Sequence, residues 1–579
     1  MNRRIETIIP ASARGLVPNR WDLIAVPLVL GLIALLAGAA RQMVVPFALE
    51  HPVALSTDPS ALPGYAVRTT LRMLAALVCS LVFSFCYAPL AAKSARAGQI
   101  LIPVLDILQS VPVLGYISFT VTGFIALFPG SLLGVEAAAI FSIFTSQAWN
   151  ITFSLYQSLR TVPHDLREAA YIFRLNGWQR FWRLEVPFAM PGLVWNTMVS
   201  MSGGWFFVIA SEAITVGNAQ VALPGVGSYI AMAVARQDLG AVGYAVATML
   251  IVIVLYDQLM FRPLVAWADK FQLDPSPRDD TPQSWVLRLF QRTRLLRLFV
   301  RPLLRGMAAA IHARLPQGAL KAMPVPALGL AGRWLDWAWY GLLGLCAALL
   351  SVWVVHAIDA TVGWLEVVRA AGLGMVTAVR VILLTALCGL IWVPIGVYIG
   401  LKPRVAEWVQ PLAQFLAAFP ANVVFPFVVP LVVVYKLNPS VWLSPLLVLG
   451  AQWYILFNVI AGASAFPRDL RDAWACFRVR GSLWWRKLIL PGVFPYLLTG
   501  AITAFGGAWN ASIVAEIVSW GDTTLVATGL GSYVAEATRA GDYPRIGLGV
   551  GIMVIFVVAF NRLLWRPLYA LAERRLHAD

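Results

Sequence analysis

The sequence predicts an all-α integral membrane protein with about twelve transmembrane helices, arranged as two parallel six-helix repeats. Of the 579 residues, 60% are hydrophobic and 12% are charged, which is about half the charged share of a soluble domain. Long apolar stretches fall into two groups of six, and the second group repeats the first at a nearly fixed offset. A soluble enzyme and a disordered chain are excluded, because a chain this apolar needs lipid as part of its solvent.

Twelve apolar stretches are each long enough to cross about 30 Å of hydrocarbon as a helix. The third and ninth contain several prolines, so they are the least regular. The first resembles a signal peptide but continues through Val44 and Phe47 without a clean break, which favours an uncleaved span. The stretches are 21–47, 67–92, 100–128, 132–158, 188–215, 240–261, 337–358, 372–400, 408–435, 441–463, 492–518 and 545–565.

The basic residues predict the orientation of these spans. Cytoplasmic loops of membrane proteins are enriched in Lys and Arg. With the N-terminus in the cytoplasm, the cytoplasmic segments hold 35 of the 44 Lys and Arg residues, and the opposite orientation inverts the rule. We therefore expect both termini to be cytoplasmic. The net charge of +16 is then explained by topology, with membrane lipids and no nucleic acid as partners.

The two halves repeat with an offset of 304 residues, which pairs Glu212 with Glu516. Nearer the start of each half the offset is 308, which pairs Arg72 with Arg380. An even number of spans in each repeat gives both halves the same orientation in the membrane. The halves are then related by an axis along the membrane normal, with a pathway between them.

The repeat sets the domain boundaries. A basic linker separates the halves, and its residues 284–315 alternate apolar and Arg positions at helical spacing. This pattern favours an amphipathic helix on the inner leaflet, with Arg facing lipid phosphates, over a docking site for a soluble partner. The segments are an N-terminal span and periplasmic loop (1–66), a first repeat domain (67–267), the linker (268–336), an extra span (337–371) and a second repeat domain (372–579).

The most polar loop of each half follows its fourth span. In the first half, Pro163 is suited to start a helix and Gly177 to end it, and Pro187 begins the next span. The second half repeats proline, acid, glycine and proline in register. Solvated loops vary in length, so this repetition indicates a common task. A short rigid helical hairpin suits docking into a groove of a partner.

These loops resemble the hallmark of permease subunits of binding-protein-dependent ABC importers, which have the type I importer fold. Glu168-Ala169-Ala170 followed by Gly177 matches the family pattern, whereas the second copy departs with Asp472 and Trp474. In the family this loop is the coupling helix, which sits in a cleft of the ATPase subunit. The resemblance assigns coupling to Pro163, Arg167, Glu168, Ala169, Gly177, Pro187, Pro467, Arg471, Asp472, Ala473, Gly481 and Pro491.

A finer resemblance is to the nitrate/sulfonate/taurine/bicarbonate branch, through the acid late in each half's fifth span and the glycine-rich segment after it. It implies ATP-driven import of a small, anionic solute across a bacterial inner membrane. The implied partners are two copies of a cytoplasmic ABC ATPase, with a periplasmic solute-binding protein as an optional third component. The sequence has no G-x-x-x-x-G-K-[S/T] motif, so ATP and Mg would be held by the separate ATPase chain. We expect no catalytic residues, metal or cofactor in this chain.

Ionisable groups inside a span are costly and often face a cavity or a partner. Glu212 and Glu516 could form a gate, pair with Arg, contact solute or make a structural hydrogen bond. Two acids near the path fit a bare anion poorly, so either they lie off it or the solute is not a simple anion. For Arg72 and Arg380 we favour snorkelling to phosphates over a charge in the pathway. The further pathway candidates are Trp205, Ser211, Trp509, Asn510 and Ser512.

Two other functions remain open at this stage. A secondary transporter also consists of two six-span halves, and it needs no ATPase. A membrane scaffold or sensor could use the loops to recruit another protein. The duplicated loop argues against the first alternative, and the repeated intramembrane acids argue against the second.

Overall fold

A computed structural model describes most of the chain. The described residues are 19–43, 55–110, 113–216, 219–271, 284–293, 302, 306, 329–419, 421–464, 466, 474, 476–478, 481–568, 570 and 571.

The first half is a helical bundle with one β-hairpin in its described part. In chain order its elements are α1 (Asp22–Gln42), α2 (Leu62–Lys93), α3 (Ala95–Ser110), α4 (Val113–Leu127), α5 (Leu133–Arg160), α6 (His164–Ile172), α7 (Gly177–Arg180), α8 (Val186–Glu212), β1 (Ala213–Val216), β2 (Ala219–Ala222), α9 (Val226–Ala235), α10 (Leu239–Tyr256) and α11 (Arg262–Ala268).

The second half follows the linker helix α12 (Trp285–Arg292) and repeats this order. Its elements are α13 (Gly329–Thr361), α14 (Trp364–Gly400), α15 (Pro403–Ala418), α16 (Phe425–Val434), α17 (Pro439–Trp442), α18 (Gln452–Ser464), α19 (Gly481–Trp484), α20 (Leu490–Ala515), β3 (Ile517–Trp520), β4 (Thr523–Val526), α21 (Leu530–Ala540) and α22 (Tyr543–Phe560).

The all-α membrane class predicted from the sequence is confirmed. Among the described residues, eight helices are long and apolar enough to cross a membrane, or nine if the bent pair Pro439–Leu447 and Gln452–Ser464 is one span. Helix α5 is 28 residues long but carries buried polar residues such as Ser142, Thr145 and Gln147. The Pro-containing third span of the second half is broken, because a 3-10 turn at Ala421–Val424 separates α15 from α16. The third span of the first half contains α3 and α4, and residues 111–112 between them lie outside the described residues.

Four π-helical turns also obey the repeat. They cover Phe181–Glu185 and Asp257–Phe261 in the first half, and Trp485–Ile489 and Asn561–Trp565 in the second. Each turn lies just before a proline in the following helix. A proline removes an amide donor, and its ring clashes with the carbonyl four residues earlier, so a locally wider turn relieves the clash.

Two β-hairpins replace the ends of the predicted fifth and eleventh spans. Strand β1 pairs antiparallel with β2, and β3 pairs with β4. The predicted spans 188–215 and 492–518 are therefore too long, because their helices end at Glu212 and Ala515. Below, the end of the bundle with these hairpins is called the strand end. The other end, which carries α6 and α7, is called the loop end; α8, with 27 residues, covers about 40 Å between them.

The two halves exchange contacts reciprocally. Helices α3 and α4 of the first half pack on α22 and α20 of the second, and α15 of the second half packs on α8 and α10 of the first. Val423 is fully buried in the hydrophobic core of the first half, whereas Phe206 and Phe207 pack against the core of the second. This exchange fits the predicted two-fold relation between parallel halves.

The described part of the basic linker is a helix at the surface of the first half. Val286 and Leu289 of α12 are buried against the protein, whereas the sequence pattern predicted that this face lies on lipid. The amide of Asn19 donates to the carbonyl of Arg292 at 2.7 Å, and the Arg292 guanidinium lies 5.2 Å from the centre of the Trp21 ring. The helix is thus held against the start of α1. Most of the rest of 284–315 lies outside the described residues.

Candidate functional site

The first polar loop folds as two short helices. Helix α6 begins after Pro163, as predicted, and ends at Ile172. Arg174 then takes a left-handed conformation with φ of 50°. The prediction that Gly177 ends this helix is wrong. Gly177 is the first residue of α7, because the side chain of Asn176 caps that helix in a capping box with Gln179.

Charged side chains fasten this loop to the bundle. One guanidinium nitrogen of Arg167 donates to the carbonyls of Leu159 and Arg160 at the end of α5, at 3.3 and 3.2 Å. The carboxylate of Glu185 pairs with Lys93 of α2 at 2.7 Å and with Arg180 at 3.2 Å. Arg167 therefore positions α6 relative to the fourth span. The loop is thus joined to α5 and α2, and the chain continues from α7 through a π-helical turn into α8.

The loop also exposes large apolar side chains. Tyr171, Ile172 and Phe173 at the end of α6 are 68%, 78% and 77% exposed. At the offset of 304, Phe477 corresponds to Phe173 and is 81% exposed. Arg478, like Arg174, has a φ of 50°. The two loops therefore present a phenylalanine from the same backbone turn, and such exposed apolar groups are typical of protein interaction sites.

The other predicted coupling residues are distributed as follows. Glu168 is 64% exposed and its carboxylate lies 3.3 Å from the imidazole of His164. Gly481, with φ of 67°, is the first residue of α19. Pro187 and Pro491 lie in the first turns of α8 and α20. Pro467, Arg471, Asp472 and Ala473 lie outside the described residues.

A buried ion-pair cluster lies at the strand end of the first half. The Arg72 guanidinium is fully buried and pairs in a bidentate manner with Glu136, with Nε–Oε2 at 2.6 Å and Nη2–Oε1 at 2.7 Å. Its Nη1 lies 2.6 Å from Oε1 of Glu212, and Nη2 also donates to the carbonyl of Pro224 at 3.1 Å. One side chain thus joins α2, α5, α8 and the segment before α9.

Further hydrogen bonds hold Glu212 in place. The Thr69 hydroxyl donates to its Oε1 at 2.7 Å, and the backbone amide of Gly227 donates to Oε2 at 2.7 Å. The same Thr69 hydroxyl accepts from the amide of Val226 at 3.1 Å. Both carboxylate oxygens therefore have strong donors, which offsets the cost of burying the charge.

The second half repeats this cluster in a simpler form. Nη1 of Arg380 lies 2.7 Å from Oε1 of Glu516, and Nη2 donates to the carbonyl of Thr528 at 3.0 Å. Thr377 donates to Oε1 of Glu516 at 2.9 Å, and the amide of Ser532 donates to Oε2 at 3.1 Å. Arg380 has one carboxylate partner among the described residues, whereas Arg72 has two. The side chain of Arg380 is 10% exposed.

Glycines make room for both buried carboxylates. A Cβ atom at Gly225 or Gly529 would overlap the carboxylate of the buried glutamate in the same half. A Cβ at Gly227 or Gly531 would overlap backbone of the preceding span. The G-x-G spacing is therefore needed for the segment after each hairpin to pack over the ion pair.

The structure shows one of the roles considered for these charged residues, which is pairing with arginine. Glu212 and Glu516 are fully buried and both pair with arginine. The expectation that Arg72 and Arg380 snorkel to phosphates is wrong, because their guanidinium groups point to these carboxylates inside the protein. Sequence reasoning missed Thr69 and Thr377, although the offset of 308 pairs them. It also missed Glu136, for which the repeat gives no acidic counterpart.

The remaining pathway candidates lie on α8 and α20. Trp205 and Trp509 are buried in the cores of their own halves. The hydroxyls of Ser211 and Ser512 donate to backbone carbonyls of their own helices, at 3.0 and 2.8 Å. Asn510 accepts a hydrogen bond at 2.7 Å from the backbone amide at the start of α4, so its contact crosses between the halves.

The seam between the halves includes the contact of α8 with α15. A cavity of about 10 Å³ remains there, which is about the minimum for one water molecule. It is lined by Met198 and Ser202 of α8 and by Trp453 and Tyr454 of the second half. At the strand end, the amide of Gly521 donates to the carbonyl of Val234 at 3.2 Å, so the β3–β4 turn contacts the first half.

Comparison with known proteins follows the same division into halves. A family model described as "Binding-protein-dependent transport system inner membrane component" matches residues 81–260 and 392–577. The bicarbonate transport system permease protein CmpB of Synechococcus elongatus is 28% identical over 181 residues, which cover 31% of this chain and 60% of that protein. The chain thus spans about three-fifths of the length of this relative.

Two other relatives are named for different solutes. The nitrate import permease protein NrtB of Leptolyngbya laminosa is 23% identical over 197 residues, which cover 34% of this chain and 64% of that protein. The glycine betaine/proline betaine transport system permease protein ProW of Escherichia coli is 25% identical over 263 residues, which cover 45% of this chain and 68% of that protein.

Replacing Arg72 should destabilise the fold strongly. In Arg72→Met the carboxylates of Glu136 and Glu212 stay buried without their cation, and a broken buried ion pair costs about 3–5 kcal/mol. Denaturant unfolding of the purified chain in mild detergent measures this loss. Arg369→Met, whose side chain is 68% exposed, is the control and should change little. Equal stability of the two variants would contradict a structural role for the cluster.

A methyl group over the cluster should have a similar, smaller effect. Gly225→Ala forces a Cβ against the Glu212 carboxylate, and overpacking of this kind costs about 1–3 kcal/mol. Gly243→Ala is the matched control, because nothing lies within 4 Å of a Cβ there; it should be neutral or stabilising. The unfolding midpoints of both variants give the answer, and a neutral Gly225→Ala would refute the packing argument.

Proposed function

Because this chain belongs to the family of binding-protein-dependent transport system inner membrane components, we propose that it is the permease of an ATP-driven importer, with two permease domains fused in one chain. Its transmembrane helices form the pathway, and ATP hydrolysis takes place on separate ATPase subunits. The α6–α7 loop and its second copy act as the two coupling sites. The loop end is cytoplasmic, as are both termini, and the chain lies in a bacterial inner membrane.

The duplicated apolar turn at the loop end carries this proposal. Phe173 and Phe477 each extend from a left-handed turn and are about four-fifths exposed. An exposed aromatic side chain on a polar loop is stabilised when a partner's groove covers it. Two such turns, one in each half, suit a partner that binds in two copies.

The contacts of the loop explain how docking would move the spans. Arg167 binds the end of α5, and Glu185 binds Lys93 of α2. A force on α6 is therefore transmitted to α5 and α2, while α7 continues through a π-helical turn into α8. We propose that ATP binding draws the two loops together and opens the seam between the halves that α8 lines.

The ion-pair clusters bear on the solute. An excess of free acid along the path would repel an anion, but Glu212 and Glu516 are each bonded to arginine. The acids therefore do not argue against an anionic solute. The relatives described above are named for bicarbonate, nitrate and glycine betaine transport. Each of these carries a delocalised oxyanion group. We propose a small solute with such a group, delivered to the strand end by a periplasmic solute-binding protein.

The coupling assignment is tested by placing charge in the apolar turn. Phe173→Asp with Phe477→Asp should abolish retention of the ATPase subunits by the tagged chain, because two carboxylates would have to be desolvated in the groove. The control is Tyr435→Asp. Tyr435 is also aromatic and 69% exposed, and it directly follows the C-terminal end of α16. Purification with quantification of bound ATPase is the measurement.

The result separates this proposal from the secondary transporter. Loss of ATPase from the double variant, with retention by Tyr435→Asp, supports coupling at these loops. Undiminished ATPase retention in the double variant would refute the coupling assignment. A wild-type chain that moves solute in vesicles without any ATPase would favour the secondary transporter.

A further inference from the structure

The second half contains a large apolar groove on the lipid-facing side. Its volume is about 590 Å³. It is lined by α14, α20, the π-helical turn before α20 and the turn after α22, with Trp485 and Leu568 at the loop end and Ile382 and Phe505 at the far end. Leu390, also in the lining, is 74% exposed, so the groove is open along its side.

The length and depth of the groove match one leaflet of a membrane. Its α14 wall runs from Ile382 to Pro394, about 18 Å at 1.5 Å per residue. The hydrocarbon of one leaflet is about 15 Å thick, half of the full 30 Å. The groove therefore has room for an extended acyl chain that enters from the loop end.

In the first half, aromatic rings occupy the matched position. Phe85, which corresponds to Val393, stacks on Trp182 with ring centres 5.8 Å apart and meets Phe181 at 6.5 Å. In the second half the small Val393 lines the groove, and Arg486 stands where the first half has Trp182. The groove is thus a specific feature of one half.

Polar groups at the loop end of the groove favour a phospholipid. Arg486 and Lys487 directly follow the groove residue Trp485, and Arg562 lies one turn before Trp565; all three basic side chains are exposed. The indole N–H of Trp565 has no hydrogen-bond partner among the described residues. Basic side chains attract an anionic head group, and an ester or phosphate oxygen would accept a hydrogen bond from the indole.

We propose that this groove binds one acyl chain of an anionic glycerophospholipid from the leaflet at the loop end. The head group lies against Arg486, Lys487 and Arg562, and Trp565 donates to an oxygen near the glycerol. The lipid would wedge between α14 and α20, directly after the second coupling loop. We expect the matched position of the first half, where Phe85 stacks on Trp182, to bind no lipid.

Filling the groove tests the binding site. Val393→Phe copies the residue of the first half and should abolish tight lipid binding. Leu383→Phe is the control, because Leu383 is 64% exposed on the same helix and does not line the groove. Native mass spectrometry of the full chain in mild detergent, with dioleoyl phosphatidylglycerol added, counts the bound lipid. Retention of the tight lipid by Val393→Phe would overturn the proposal.

The head-group preference gives a second, independent test. Wild type should bind phosphatidylglycerol more tightly than phosphatidylcholine with the same acyl chains. Arg486→Gln with Lys487→Gln should reduce this preference by about 5-fold for each residue removed, without filling the groove. Equal binding of the two lipids by wild type would overturn the proposal. Neither readout involves ATPase or transport, so the result is independent of the proposed function.

Discussion

A buried arginine–glutamate pair at the strand end of each half is the interaction on which the rest of the architecture depends. It fixes the second span of each half to its fifth, and it holds the segment that follows the β-hairpin. An unpaired charge in this position would be costly, so both partners, the threonine donor and the glycines above them form one unit. In the first half the fifth span, α8, also lines the seam and continues from the α6–α7 loop.

Both halves contain this ion pair, but the residues around it differ between the halves. In the first half Glu136 adds α5 to the cluster, and Phe85 stacks on Trp182 beside the α6–α7 loop. In the second half the fourth span is a bent pair of helices, Arg380 is slightly exposed, and a groove opens beside α20. A fused chain, unlike a symmetric dimer, can assign different mechanical roles to its two permease domains.

Much of this organisation could be predicted from one sequence, because the repeat acts as an internal comparison. The family resemblance drawn from the Glu168 loop is confirmed by the two family matches. The pairing of Glu212 with Arg72 was one of several open roles, since spacing along the chain does not tell which spans pack together. The β-hairpins were missed although Trp520-Gly521-Asp522-Thr523 has the two-residue turn typical of a hairpin. The prediction for Gly177 is wrong because Asn176, directly before it, is an N-cap residue, and an N-cap begins a helix.

We propose that this one chain supplies both coupling sites of an importer. The most direct measurement is the mass of the intact complex that purifies with the tagged full-length chain in mild detergent. We expect this complex to contain one copy of this chain and two copies of an ATPase subunit. A complex with two copies of this chain for each pair of ATPases would contradict the claim, because each chain would then contribute only one working loop.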